Sequence, residues 1–306
     1  GRTDYLEGPQ FFASLLAGAD GLQEETAKTY TIGAVISDLS TSPWLSRLRM
    51  SVDYYNIKLT DGISRQGIDS VFRQCFTTEF NPTFEMNAAC RRIERDEVDG
   101  TQQVVTINFS NQGAVETAGI DVQVDWALTF EDVGISIPGT FSTNVNFNYL
   151  DKFATTPDQV AIPLTDYAGT LGPDGANSVG TQSGSYRWKL FSRFNYSVGP
   201  ASIGLQWQHK PAIASAQSAT DSTTTIAGAP AYNLFSLNGR YEVLENVAFR
   251  FGIDNLFDAK PPYVGYRLDD VLGDGTLPFG QAANPYYPNE YDVLGRRFYV
   301  GASVSF

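Results

Sequence analysis

The sequence predicts an all-β protein: an antiparallel transmembrane β-barrel, of which this chain supplies about nine strands. Three observations predict it. Apolar and polar side chains alternate with period two over stretches longer than the five or six residues usual in globular sheets. The connections between these stretches alternate in length, short then long. No apolar run approaches the roughly 18 residues of a membrane-spanning helix; the longest candidate is the short segment from Phe11 to Ala19.

The strands follow in order. Residues 28 to 37 and 46 to 59 alternate least cleanly, because Leu48, Met50, Val52 and Tyr54 give way to Tyr55, Ile57 and Leu59 in the opposite phase. A bulge near Tyr54, or exit from the apolar layer, accounts for that. Next, Ile120, Val122, Val124, Trp126, Leu128 and Phe130 alternate with Asp121, Gln123 and Asp125. Residues 139 to 151 set Phe141, Thr143, Val145, Phe147 and Tyr149 against Ser142, Asn144, Asn146 and Asn148. Trp188, Leu190, Phe194 and Tyr196 oppose Arg187, Lys189, Arg193 and Asn195, with Ser192 and Phe191 as one exception on each face. Three more alternations follow, on Ile203, Leu205 and Trp207, on Phe235, Leu237 and Tyr241, and on Val247, Phe249, Phe251 and Ile253. The last strand, Phe298 to Phe306, closes the chain.

Segments near 38–45, 131–138, 198–200 and 243–246 are short, whereas 60–102, 156–183, 211–230 and 257–291 are long. A meander of antiparallel strands places all short turns at one end and all long loops at the other, as in outer-membrane barrels. The long segments are then extracellular loops, and Phe306 sits at the periplasmic rim. A soluble β-sandwich binding module is the alternative, since alternation also describes one face packed on a core. Against it stand the Asn144, Asn146, Asn148 ladder, the charges at mid-strand on the polar face, and the loop asymmetry. Arginine or lysine at mid-bilayer costs about 2 to 4 kcal/mol, and the apolar positions carry neither.

Composition narrows the function. Charged residues make up 18% of the chain, below the roughly 25% of soluble domains, while aromatics reach 13%, an unusual mix. The net charge of −13 repels phosphate backbones, so no nucleic-acid partner is expected; a cation or a basic partner fits better. Cys75 and Cys90 are the two cysteines, without zinc-site spacing. They are read as a disulfide, contributing about 3 kcal/mol and implying an oxidising compartment. It staples a loop with helix-like stretches, including Glu85 to Arg95.

Several of these stretches resemble the C-terminal part of a TonB-dependent outer-membrane receptor. The segment 51–63 (SVDYYNIKLTDGI) is similar to the family's ascending strand, and 108–126 (NFSNQGAVETAGIDVQVDW) to its N-x-G…T-x-G-[IV]-[DE] descending strand. The segment 251–265 (FGIDNLFDAKPPYVG) resembles the penultimate-strand motif, with Asn255, Leu256, Phe257 and Asp258 leaving the membrane. Residues 295–306 (GRRFYVGASVSF) resemble the terminal strand, whose closing aromatic, Phe306, implies the assembly signal.

The resemblance implies a 22-strand barrel around an N-terminal plug, import powered by TonB, and residence in the outer membrane of a Gram-negative bacterium. Residues 1–306 are then expected to be the C-terminal portion of a longer polypeptide, the plug and the remaining wall lying on the same or another chain. A surface lipoprotein is a further partner the resemblance allows. The ligand is a scarce nutrient such as a carbohydrate, a ferric siderophore or a cobalamin-like molecule; a passive porin is the runner-up.

Sites follow from register. Arg187, Lys189, Arg193, Arg240, Arg250 and Arg297, with Asp121 and Asp125, are expected to line the lumen. Arg240 and Arg250 face each other across the 243–246 turn, an arrangement that needs a counter-charge, expected from carboxylates of the plug or from an anionic ligand. Phe279, Tyr286, Tyr287 and Tyr291 in the last long loop are candidates for ligand contact, since rings offer flat apolar area with polar tips; packing among loops or an outer aromatic girdle reads equally well. His209 is read as a solvated or interfacial side chain, with a metal ligand or a barrel hydrolase as the sharper alternative. Asp269, Asp270 and Asp274 miss the calcium-loop template. Gly169, Gly172 and Gly175 precede no helix, so no cofactor is expected. No metal site or catalytic group is assigned, and the chain is not read as an enzyme.

Overall fold

The computed structural model describes residues 13–17, 20–37, 41–98, 100–171, 184–224, 228–262 and 291–304. Twelve strands form among them: β1 (Ala13–Ala17), β2 (Thr26–Ser37), β3 (Leu48–Arg65), β4 (Ile93–Arg95), β5 (Gln102–Thr129), β6 (Thr140–Thr156), β7 (Thr165–Asp166), β8 (Trp188–Val198), β9 (Ala201–Lys210), β10 (Tyr232–Leu244), β11 (Val247–Asp254) and β12 (Arg297–Val304). One α-helix, α1, spans Ile68–Phe76. Nine strands lie side by side as β12-β11-β10-β9-β8-β6-β5-β3-β2, with β1 and β4 added to β5 and β7 to β6. Apart from the added short strands, each strand neighbours the next in sequence. Among the described residues this meander has no returning connection of the Greek-key kind.

The chain divides into two compact units. One comprises Gly1–Thr29, Ile57–Glu116 and Ala154–Asp166; the other comprises Tyr30–Asn56, Thr117–Phe153 and Tyr167–Phe306. Strands β3, β5 and β6 contribute residues to both. They are also the longest, with 18, 28 and 17 residues, whereas a tilted strand crosses a bilayer in about 9–11. Strand β3 runs unbroken through Tyr54 to Arg65, so the change of phase there is not the end of a strand.

In the larger unit the register turns the alternation into two faces. Thr143, Phe194, Leu205, Leu237, Ile253 and Phe298 are successive partners across β6, β8, β9, β10, β11 and β12. One position away, Ser142, Asn195, Gly204, Asn238, Gly252 and Tyr299 are likewise partners, on the opposite face. The apolar face is not sealed: Phe147 and Leu205 are half-buried, Phe251 is 46% exposed and Val300 82% exposed. A contiguous exposed apolar surface of this extent is foreign to soluble monomers and is what hydrocarbon contact requires.

Both exceptions to the alternation have local causes. Ser192 faces the apolar side between Val145 and Trp207 and is buried to 2% exposure beneath these larger side chains. Phe191, on the polar side, lies under the Arg193 guanidinium, 4.9 Å from its ring centre.

Two glycines make room for rings. A Cβ on Gly239 would meet Phe251 Cζ at 2.3 Å, and one on Gly252 would meet Tyr299 Cζ at 2.3 Å. Each ring thus covers backbone that a side chain would otherwise occupy.

Buried apolar residues gather in two small clusters. Val71, Cys75, Ala89, Ile93 and Val105 form one in the first unit, and Leu171, Tyr186, Ile213, Ala229, Tyr232 and Tyr291 form the other in the second. The helix expected near Glu85–Arg95 is corrected: the α-helix is α1, and 85–95 contains only a 3₁₀ turn at Cys90–Arg92 followed by β4. The side chain of Asn87 accepts from the Cys90 N–H, a local alternative to helical pairing.

Gly239→Ala is expected to destabilise the intact protein by about 1–3 kcal/mol, since the Phe251 ring must leave its rotamer. Gly301→Ala, whose Cβ would enter open space, is the control and is expected to change stability little. Urea unfolding in detergent, followed by tryptophan fluorescence, distinguishes the two.

Candidate functional site

The polar face of the larger unit is a ladder of amides on carboxylates. Asn144 donates to Asp125 Oδ1 at 2.7 Å, Asn146 to Asn144 Oδ1 at 2.6 Å, and Asn148 to Asp121 Oδ1 at 2.6 Å. Gln123 donates to the other oxygen of Asp125 at 2.8 Å. The pleat places these residues two apart on one face, so each amide reaches its neighbour along or across the strands. The surface borders a concavity of about 450 Å³ lined by Asp53, Asp121, Asn146, Asn148, Lys189 and Gln208, among others. A second, of about 580 Å³, is lined by Arg47, Arg49, Asp125, Trp126, Arg193 and Asn195, among others. Such groups hydrogen-bond and orient a polar solute. Among the described residues no three His, Cys, Asp or Glu side chains gather in a way that would hold a metal ion.

The arginines expected in the lumen have different environments. Arg240 and Arg250 do stand directly opposite each other, and Glu242 on β10 pairs with Arg240 at 3.0 Å, supplying a counter-charge from within the chain. Arg187 donates to the carbonyls of Asp151 at 2.6 Å and Ala168 at 2.9 Å. Arg297 pairs with Asp292 at 2.9 Å and with Asp254 at 3.8 Å.

His209 lies on the apolar face at the end of β9. Its ring stacks on Trp188 with centres 4.7 Å apart, and its Nδ1 is 2.8 Å from Asn233 Oδ1, which also accepts from Trp207 Nε1 at 2.9 Å. With Phe235 stacked on Trp207 and Phe257 edge-on to Phe235, these rings form a band of the kind found at membrane interfaces. The interfacial reading of His209 fits this position.

Of the aromatic residues in the last long loop, Phe279, Tyr286 and Tyr287 lie outside the described residues, as does Phe306. Tyr291 is 4% exposed. Its hydroxyl lies 2.8 Å from that of Tyr186, its ring packs edge-on to Tyr232, and the Lys210 ammonium sits 5.4 Å from its centre. The Asn-Leu-Phe-Asp motif, residues 255–258, fixes the foot of the last loop, where the chain around 255–260 meets that around 291–297. Asn255 and Asp258 both adopt left-handed backbone, at φ 53 and 54, which short polar side chains tolerate best. Asn255 exchanges hydrogen bonds with the Ala259 backbone at 2.9 and 2.7 Å and donates to Asp292 at 3.2 Å. Asp258 accepts from the Arg296 N–H at 3.1 Å.

Both carboxyls lie below the usual range. Hydrogen bonds from Lys260 and the Arg296 N–H lower Asp258. Burial raises Asp292, but bonds from Arg297, the Leu294 N–H and Asn255 outweigh it.

In the first unit the disulfide Cys75–Cys90 is formed as expected. It staples a small cap built from α1 and β4, and the helix docks on Asp158, which is wholly buried. The Asp158 carboxylate accepts from the Ser70 hydroxyl, from Gln74 at 2.9 Å and Gln66 at 3.1 Å, and from the Val160 and Ala161 N–H groups. Arg92 donates to Gln66 Oε1 at 2.5 Å and to the Thr106 carbonyl at 2.9 Å; burial lowers its pKa, and the Asp158 charge opposes that. Sequence reasoning missed this node. Its signals were an Asp after Pro157, which opens an Asx turn, and Ser70 and Gln74 at i, i+4 on one face of α1, with Gln66 just before its N-cap.

The family model described as TonB dependent receptor-like, beta-barrel, matches residues 3–256. The chain belongs to this family. It is a family of outer-membrane transporters, in keeping with the two-faced sheet. No functionally curated protein matches the chain. Among solved structures, it is similar to a mutant of the ferric enterobactin receptor PfeA from Pseudomonas aeruginosa, at 14% identity and a TM-score of 0.56 over 95% of this chain and 32% of that one. It is also similar to the siderophore receptor PirA from Acinetobacter baumannii, at 13% identity and 0.53 over 95% and 33%. The FrpB iron transporter from Neisseria meningitidis aligns at 12% identity and 0.52 over 96% and 33%. At these identities the likeness shows the fold. The chain spans about a third of the length of these receptors.

Asp158→Ala leaves several buried donors without an acceptor and is expected to destabilise the cap by about 2–4 kcal/mol, read as faster amide exchange over residues 66–76. The foot of the last loop responds to pH. Because both carboxyls titrate below their ordinary value near 3.9, their contribution is complete above that pH and disappears as pH falls through the lowered folded values. Protection of the Arg296 and Leu294 amides, corrected for intrinsic exchange, is therefore expected to be equal at pH 7 and 5 and to drop at pH 3.

Proposed function

We propose that the chain forms part of the wall and the outer loops of a receptor that captures a scarce small molecule outside the cell and imports it with energy from TonB. The single observation behind this reading is the sheet itself, apolar and open on one face and amide-lined on the other, in a chain that matches the receptor barrel over residues 3–256. In this reading, segments 60–102, 156–183, 211–230 and 257–291 are extracellular. Arg187, Arg193, Arg240, Arg250 and Arg297, with Asp121 and Asp125, face the lumen, where a plug domain lies against them.

Ligand capture falls to the loops. The similar solved structures include a ferric enterobactin receptor and a siderophore receptor, so a ferric siderophore is the first class to test, followed by carbohydrates and cobalamin-like molecules. Phe279, Tyr286 and Tyr287 remain the proposed contacts, while Tyr291, with its hydroxyl already engaged, would anchor the loop that presents them. A surface lipoprotein is a further proposed partner.

Uptake of a radiolabelled ferric siderophore by cells producing the intact receptor is expected to stop when TonB is deleted or the proton gradient is collapsed. The purified receptor is expected to be electrically silent in a planar bilayer. A steady open conductance, with solute entry indifferent to TonB, would establish a passive porin instead.

A further inference from the structure

Between Cys75 and Cys90 the chain makes an exposed tip, Pro82 to Met86. Its base is fixed on both sides. Asn81, almost wholly buried, donates to the carbonyls of Cys75 at 2.8 Å and Glu85 at 2.9 Å. Asn87 donates to the Gln74 carbonyl at 2.8 Å and accepts from the Cys90 N–H at 2.9 Å. The disulfide closes the segment.

What this scaffold presents is costly to fold. Phe84 has φ 52, a conformation that glycine or asparagine adopts readily and a bulky aromatic does not. Its side chain is 59% exposed and Met86 is 67% exposed. Neither ring nor thioether gains burial from holding this shape, so the stability of the cap does not explain it. Backbone strain that buys no packing points to a binding role. A rigid, preformed aromatic knob loses little entropy when it docks.

We propose that the Phe84–Met86 tip is a protein-docking knob, and that its partner offers an apolar pocket with a basic rim. Charge selects that partner. Glu85 stands between the two apolar side chains, exposed and without an ion pair among the described residues, and Glu79 flanks the tip, paired with Arg73 at 3.3 Å. An acidic tip on a chain of net charge −13 is repelled by anionic lipid and by a second copy of itself.

The test uses the intact receptor in cells, with photoreactive p-benzoylphenylalanine placed at position 84, and at exposed Val98 as a control. The expected result is one discrete adduct with a different protein from position 84 and none from 98. The crosslinked protein, once purified, is expected to bind the receptor about tenfold or more weakly after Phe84→Ser or Glu85→Lys. Phe84→Gly is expected to lose binding equally while leaving amide protection over residues 68–90 unchanged or higher, because glycine relieves the strain. No adduct at 84, an adduct to lipid or to another copy of the chain, unchanged binding by Phe84→Ser, or loss of cap protection in Phe84→Gly would each overturn the proposal.

Discussion

Backbone pairing in a sheet leaves side chains pointing two ways only, and here neither way leads to a dry protein interior. Thr143, Phe194, Leu205, Leu237 and Ile253 line up on one face, while the neighbouring row, from Ser142 through Asn195 to Asn238, lines the other. Such a sheet is stable only where hydrocarbon meets one side and water or polar protein meets the other. The rest of the structure is arranged around that constraint. Ring-over-glycine contacts at Gly239 and Gly252 fit the strands to one another, and Trp188, Trp207 and His209 gather in one aromatic band at the same end of β8 and β9.

Away from the two-faced sheet, stability comes from another source. The cap around α1 buries only a handful of apolar side chains, too few to fold a domain unaided. A wholly buried Asp158 and the disulfide take over that task, the first by satisfying donors from the helix and the 157–161 turn, the second by restricting the unfolded loop. The foot of the last loop repeats the device, with Asn255, Asp258 and Asp292 beside the small aromatic cluster that holds Tyr291. Polar nodes of this kind fix geometry at the ends of strands.

Much of the sheet was legible because period two survives in a single sequence: Leu205, Trp207, Phe249 and Phe251 announce their face without any partner in view. Periodicity alone does not carry β5 back to Gln102; that reach was legible only in the loop bound at 102 and in the resemblance over 108–126, because residues 102–118 do not alternate cleanly and part of them pairs with the added strands β1 and β4 as well. The helix was misplaced because the apolar and basic residues of 85–95 mimic a helical face, while the side chains of Asn81 and Asn87 capture the backbone there. Tyr291 illustrates the limit for sites. Its ring looks available in the sequence, and only the distant Tyr186, Tyr232 and Lys210 make it an anchor. The opposition of Arg240 and Arg250 was readable from the turn length, and so in principle was Glu242, two residues along the same face.

Spin labels on single cysteines introduced into the intact protein in lipid vesicles, with the native disulfide kept closed, read the environment of each face directly. Labels at positions 147, 205 and 251 should relax strongly with molecular oxygen and weakly with a water-soluble nickel chelate. Labels at 146, 206 and 250 should show the reverse or, where polar protein covers them, low accessibility to both. Protection of 147, 205 and 251 from both reagents would mean that the apolar face is packed inside protein, and the two-solvent account would be wrong.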